Sequence, residues 1–238
     1  MPILEAPPRL ERPPTFGGTA SKVDRSFREL RCANRYLGGT RSILKHLQPF
    51  ITERQGHEIR VLDVGSGASD IPAAVALWAR ERNLRCHIVA LDRHADAARA
   101  ALTESIAFPE IQPLQGDGFT PPFKPETFDF VLCSMMLHYF SNGAATMMLS
   151  VLAGLASQAV IITDVERHWI PLRAIDVLST LFRDRIVRAG FKDSVLRGFT
   201  SREFDSMAKK SGLSHWRIYR HFPFRLVLVG QVAPLGHP

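Results

Sequence analysis

A chain of 238 residues, 45% hydrophobic and 22% charged, suits one decorated globular domain better than two full ones, and no apolar run approaches the roughly 18 residues that span a bilayer. The N-terminus lacks the basic start and apolar core of a secretory signal, and Cys32, Cys86 and Cys133 form neither a disulfide framework nor a zinc pattern, so a reducing cytoplasm is the expected setting. The formal net charge of +7 is unevenly placed: residues 1–164 carry 17 basic and 17 acidic side chains, residues 165–238 carry 13 and 6, an imbalance that can attract nucleic acid, anionic lipid or an acidic substrate, or can be an Arg-rich solvated surface.

The first 22 residues hold five prolines before position 15 and then Gly17-Gly18, which predicts a mobile tail. From Asp24 to about Leu47, Phe27, Leu30, Ala33 and Leu37 recur at three- and four-residue steps, and Ile43, Leu44 and Leu47 resume the pattern after Gly38-Gly39. This predicts a helical cap over residues 23–55, ahead of a main domain over 56–238.

The main domain alternates strands and helices. Strands are expected at Ile59–Asp63, His87–Asp92, Ile111–Gln115, Phe128–Cys133 and Ala159–Asp164, with helices at Asp70–Arg82, Ala95–Ile106 and Gly143–Ala156. Repeated units of this length argue for an α/β fold built on a parallel sheet with right-handed crossovers. Thr200-Ser201-Arg202-Glu203 has the form of a capping box, followed by a helix to about Ser211. Two strand-like runs, His215–His221 and Phe224–Val232, are separated only by Phe222-Pro223, which forces them to be antiparallel.

The stretch Val61-Leu62-Asp63-Val64-Gly65-Ser66-Gly67 runs an apolar strand into an acid and then a small-residue turn that opens a helix. Gly65 and Gly67 allow a sharp bend and close approach to a ligand. Asp92 ends the second strand, where a carboxylate can bind ribose hydroxyls. Asp117 follows the third strand in Gly116-Asp117-Gly118, placed to accept from an adenine amino group. Asp63 precedes the glycines, where an acid suits a cationic amino group better than a pyrophosphate. Singly, each Asp reads equally well as a cap or turn residue; three at successive strand ends point to a nucleoside-containing, positively charged ligand.

On these residues, the stretch from about 59 to 165 resembles the class I S-adenosylmethionine-dependent methyltransferases, a Rossmann-like fold whose mostly parallel seven-stranded sheet ends in an antiparallel C-terminal hairpin with helices on both faces. The resemblance implies S-adenosylmethionine as cofactor, with S-adenosylhomocysteine as its product. It places Gly65, Ser66 and Gly67 at the methionine end, Asp63 near the amino group, Asp92 with Arg93 at the ribose, and Gly116, Asp117 and Gly118 at the adenine, with Ser134 also on the cofactor side. Ser69 stands where the family usually has glycine.

Cys133-Ser134-Met135-Met136-Leu137-His138-Tyr139-Phe140 follows the fourth strand, where the family presents residues to substrate. The Leu-His pair looks like the small-molecule branch, related to quinone-pathway methyltransferases. His138 can serve as a general base for a hydroxyl, or can be a packed or substrate-lining histidine. Between the fifth strand and the capping box lie residues 165–199, far longer than an ordinary connection, which reads as a substrate lid. Its stripe of Ile175, Leu178, Phe182 and Ile186, fringed by arginines, can be core, substrate pocket, or a surface that meets a membrane or partner. Asn34-Arg35-Tyr36-Leu37-Gly38-Gly39, Thr163-Asp164-Val165, Ser194-Val195-Leu196-Arg197 and Arg220-His221-Phe222-Pro223-Phe224-Arg225 are similar to methyltransferases that accompany type III polyketide synthases. That similarity implies O-methylation of a small aromatic substrate, with Asn34, Arg35, Tyr36, Tyr139, His168, Ile175, Phe182 and Arg197 on the substrate side. Carbon methylation of a quinone-like ring, RNA methylation and a non-catalytic cofactor-binding role are the alternatives, although no nucleic-acid-binding module is evident and no metal cluster stands out.

Overall fold

The computed structural model describes residues 7, 9, 34, 38–51, 58–178 and 192–232, the side chains of 174–178 excepted. Its centre is a seven-stranded sheet made of β1 (Ile59–Val64), β2 (Cys86–Asp92), β3 (Ile111–Gln115), β4 (Phe128–Ser134), β5 (Ala156–Val165), β6 (His215–His221) and β7 (Arg225–Gln231). The spatial order is β3-β2-β1-β4-β5-β7-β6. The first five strands run parallel, and β7 enters antiparallel beside β5 with β6 antiparallel at the edge. The chain thus starts mid-sheet at β1, works outward to β3, and restarts at β4 on the other side of β1. That reversal opens a crevice at the carboxyl ends of β1 and β4, where ligands bind in open α/β sheets.

Strand side chains alternate between the two faces, and each face has its own helical cover. Val61, Ile88, Phe130, Leu132, Ile161 and Val227 meet α1 (Gly39–Ile51) and α2 (Asp70–Arg80). Ile43, Leu47 and Ile51 of α1, each four residues after the last, are buried in this layer. On the other face Leu62, Val64, Leu91, Val131, Cys133 and Leu228 meet α4 (Asn142–Leu155) and α6 (Ser201–Ala208). The strand β4 is buried at every position because both faces are covered, as its unbroken apolar run requires. α3 (Ala95–Ala107) packs beside β2 and β3, burying only Ala97 and Ala101.

Most boundaries lie within one or two residues of the sequence expectation, and the junction before β5 differs more. The fourth helix ends at Leu155 and β5 begins at Ala156 with no loop between, three residues earlier than the apolar pattern indicates. Ala156 pairs with Phe128 across a register irregularity, so the strand gains length through backbone pairing and not through an apolar signal. The segment over 165–199 closes on itself at the base: Phe199 N donates to Val165 O (3.1 Å) and Arg167 N to Phe199 O (2.9 Å). Within it lie α5 (Trp169–Leu178) and a helical stretch over 192–197. The rest of the expected lid, including Phe182, lies outside the described residues, as do Arg35 and Tyr36 and most of the expected tail. From that tail Arg9 is described, and its side chain is buried.

Candidate active site

The glycine turn is tied to the neighbouring strand. Gly65 (φ +73) and Gly67 (φ +53) adopt the left-handed conformation that glycine enters without steric cost. Gly65 N donates to Leu91 O at 2.9 Å and Gly67 N to Asp92 Oδ2 at 2.9 Å. A Cβ on Gly65 would collide with Met136 Sδ, so the turn and the loop after β4 approach as closely as the backbone permits. Ser69 is fully buried and also left-handed (φ 60), at the N-cap of α2. The position therefore does call for glycine geometry, and serine adopts it at a cost of about 1–2 kcal/mol.

Asp63, Asp92 and Asp117 come together on one cleft of about 110 Å³, with Gly65, Ser66 and Gly67 at one end and Gly116 and Gly118 at the other; Arg93 and Ser134 also line it. The three acids are held differently. Asp92 accepts from Gly67 N and His94 N, both at 2.9 Å, so its carboxylate is oriented before any ligand arrives. Asp117 Oδ1 accepts from Phe119 N at 3.0 Å, closing a turn. Asp63 is 1% exposed and its Oδ1 has no hydrogen-bond partner. Burial, with Asp70 and Asp92 close by, pushes its carboxyl well above the usual carboxylate range. The Ser66 and Ser134 hydroxyls are likewise buried without a partner. Buried polar atoms left unpaired cost about 1–3 kcal/mol each, which a ligand with matching groups would recover. An ammonium group answers Asp63, vicinal hydroxyls answer Asp92, and an apolar ring fits between Leu91, Phe119, Phe140 and Met148 on the same cleft. These residues fit S-adenosylmethionine.

The substrate-side residues divide. Asn34 and Tyr139 line this same cleft. Asn34 Nδ2 donates to Asp70 Oδ2 (2.9 Å) and its Oδ1 accepts from Arg225 Nη2 (3.4 Å), which fixes it over the start of α2. Arg225 is itself buried, and burial brings its guanidinium down to about 10. His168 and Arg197 do not line the cleft: the His168 ring stacks on Phe224 at 5.3 Å, and Arg197 Nε pairs with Asp193 at 2.9 Å. Ile175 falls within α5, with its side chain outside the described residues.

His138 is fully buried in a 3-10 turn, Leu137–Tyr139, one layer behind Tyr139, with ring centroids 4.2 Å apart. Its Nδ1 lies 2.7 Å from Asp164 Oδ1, and its backbone N donates to Asp164 Oδ2 at 3.0 Å. Val165 N also donates to Asp164 Oδ1 at 2.8 Å. The His138 Nε2 is buried with no hydrogen-bond partner. Neither His138 nor its partner Asp164 lines the cleft; the pairing with Asp164 was missed in the sequence, where its signal was the place of Asp164 at the end of β5, next to β4 in the sheet. The wall made by Met135, Met136 and Met148 was also missed. Met135 sits at φ 54 just past β4, an uncommon conformation for a side-chain-bearing residue and one that clusters at functional sites. Among the described residues no three His, Cys, Asp or Glu side chains converge on a metal-sized site, and no helix is long and apolar enough to cross a membrane.

Residues 61–157 match the family model of a methyltransferase domain. No curated protein matches the chain in sequence. A SAM-dependent methyltransferase from Aquifex aeolicus shares the fold with a TM-score of 0.63 at 15% identity, over 91% of this chain and 100% of that one. Magnesium protoporphyrin IX methyltransferase from Synechocystis with bound SAM gives 0.60 at 12% identity, over 92% and 100%. The DszA carbon methyltransferase gives 0.61 at 18% identity, over 84% and 55%. The strand order, the antiparallel hairpin and the domain match define a class I methyltransferase fold. Residues 61–157 carry this methyltransferase domain, and the cleft from Asp63 to Ser134 is where its residues fit S-adenosylmethionine.

Proposed function

We propose that the protein methylates a hydroxyl of a small aromatic acceptor, with His138 taking the hydroxyl proton and Asp164 positioning His138. The carrying observation is the unpartnered, fully buried His138 Nε2 behind an Nδ1 held by Asp164. A carboxylate that accepts from Nδ1–H fixes the neutral tautomer whose Nε2 bears the lone pair, and steadies the imidazolium once that lone pair takes a proton. Bound S-adenosylmethionine supplies an electrophilic methyl group on a sulfonium. The chain's own contribution is to hold the acceptor in line, to exclude water behind the apolar wall of Met135, Met136 and Tyr139, and to receive the proton at His138, which lies behind that wall and is reached through an intervening water or a shift of Tyr139.

The test is turnover measured against acceptor pKa. His138→Ala should lower turnover by about 10²–10⁴-fold on weakly acidic phenols and by much less on phenols already ionised at neutral pH, with cofactor affinity unchanged. Asp164→Asn should show a smaller loss with the same dependence on acceptor pKa. Equal loss on every acceptor would make the pair a packing element and remove the base. A carbon-methylated product would replace the acceptor class.

A further inference from the structure

We infer that the end of the sheet carrying the cleft docks on an anionic lipid surface, through an aromatic patch at the start of α5 and the tip of the β6–β7 hairpin. This rests on the methyltransferase reading only for its purpose, which is to bring the acceptor side of the site to an apolar supply of substrate.

Phe222 is 91% exposed at the hairpin tip, and Trp169 and Ile170 are 41% and 40% exposed at the start of α5. The two segments form one surface. The His168 ring stacks between them, 5.3 Å from Phe224 and 5.9 Å from Trp169, and Glu166 N donates to Phe224 O at 2.8 Å. Among the described residues the other exposed large apolar side chains, Leu77, Leu102, Ile106 and Met147, are scattered over α2, α3 and α4, as single exposed residues ordinarily are. Trp and Phe at a protruding end, where one side is apolar and the other wet, match the chemistry of a bilayer interface.

The charge around the patch selects the lipid. Residues 38–41, 168–173 and 220–224 contain Arg41, Arg173 and Arg220, and the flanking acids are Glu166 and Asp176. Arg41 is exposed in the first turn of α1, just after Gly38, where an added Cβ would lie 3.1 Å from Phe222 O. Arg173 is exposed on α5. Arg220 is exposed with its Nε held 2.7 Å from the buried Glu166, so the pair turns its guanidinium outward but adds no net charge, and the net positive charge at the rim comes from Arg41 and Arg173. Elsewhere in the basic C-terminal third Arg167 pairs with Glu203, Arg197 with Asp193 and Lys209 with Asp205, while Arg202, Lys210 and Arg217 are exposed on other surfaces. An arginine rim around an aromatic tip is attracted to phosphate headgroups, each such charge adding to the binding of an anionic leaflet.

Location completes the argument. The patch follows the carboxyl end of β5 and precedes β7, at the end of the sheet where the cofactor cleft opens and His138 and Asp164 lie. A protein resting on this surface would present its acceptor side to the headgroup region.

Co-sedimentation with vesicles tests it, using equal phosphatidylglycerol and phosphatidylcholine against phosphatidylcholine alone. The wild type should bind the anionic vesicles and release at high salt. The double variant Phe222→Ser, Trp169→Ser should lose at least tenfold in partition. Arg41→Gln with Arg173→Gln should weaken binding to anionic vesicles only. Calorimetric S-adenosylmethionine affinity equal to wild type shows that each variant is folded, and it is also the readout that would fail if the cofactor reading were wrong. Absence of wild-type binding, or equal binding by the double variant, overturns the proposal. So does a wild-type dimer, seen by sedimentation velocity without vesicles, that the double variant abolishes, since the patch would then join two copies of the chain.

Discussion

Asp63 shows how a single residue reports its ligand. Asp92 spends both carboxylate oxygens and Asp117 one on backbone amides, whereas Asp63 is buried with Oδ1 unpaired and its carboxyl shifted well upward by burial and by Asp70 and Asp92. An ammonium placed beside it reverses that shift, because the nearby cation favours the ionised form. Cofactor binding should therefore draw the Asp63 pKa down, and at a pH where the free carboxyl still holds its proton that proton is released. Calorimetry in two buffers of different ionisation enthalpy should show this release in the wild type and its absence in Asp63→Asn, with affinity weakened by about 1.5–3 kcal/mol. The free protein gives an independent sign. A carboxyl with a raised folded pKa contributes its full stability below the unfolded carboxylate range and loses it as pH rises, so Asp63→Asn should remove that decline. Identical proton release in both proteins would assign the amino group to another partner.

At the scale of elements, the N-terminus of α6 gathers segments distant in sequence. Thr200 and Glu203 form the capping box: Glu203 N donates to Thr200 Oγ1 at 3.3 Å, and Thr200 N donates to Glu203 Oε2 at 2.7 Å. Glu203 also accepts from Arg167 Nη2 at 2.9 Å and lies 3.9 Å from Arg9 Nη2. Burial alone would raise the Glu203 carboxyl, but the bonds from Thr200 and Arg167 outweigh it and hold it below the usual range. Arg9 stands 4.2 Å over the Phe199 ring, donates to the carbonyls of Arg197 and Gly198 at 2.9 Å each, and bonds Asn142. Glu203 is thus both a cap and the counter-ion of two buried arginines. Thr200→Ala should cost about 1 kcal/mol of unfolding free energy in urea, and Glu203→Ala about 3 kcal/mol, because it leaves buried charge unanswered. A Glu203→Ala loss no larger than that of Thr200→Ala would reduce Glu203 to a cap. The capping box was legible in the sequence because it is local, four residues with one donor pattern. Arg9 and Asp164 were not, since their partners at Glu203 and His138 are distant in sequence and meet only through the sheet order. The cofactor cleft was legible for the opposite reason: each of its acids lies at or just past the carboxyl end of its own strand, and parallel strands bring those ends to one edge.

The whole molecule joins its N-terminal helix to its last hairpin through a pair of histidines. The short link at Phe222-Pro223, which in the structure also takes in Phe224, reveals an antiparallel hairpin, but its seat beside β5, and α1 across the same face, depend on packing that the sequence pattern does not encode. His46 of α1 packs on Tyr219 of β6 (centroids 4.3 Å apart), and its Nε2 lies 2.8 Å from His221 Nε2. That bond needs one ring to donate and the other to accept, which two neutral imidazoles provide and two imidazolium rings cannot. Burial, then the neighbouring His221 and Lys45, bring His46 down to about 4; burial and Lys45 also lower His221. An unfolded histidine takes its proton near 6.5. Between that value and the folded one the unfolded chain binds more protons, so stability rises with pH through this window. The contribution is complete above about pH 6.5 and is lost as the pH falls toward His46's folded value. Urea midpoints followed from about pH 7.5 down to about pH 5 should fall in the wild type. In His46→Gln, whose amide can still bond His221, the fall should be shallower and the midpoint at neutral pH little changed. Parallel slopes for the two proteins would show that acid weakens the fold elsewhere and that α1 stays seated on the hairpin when the pair is charged.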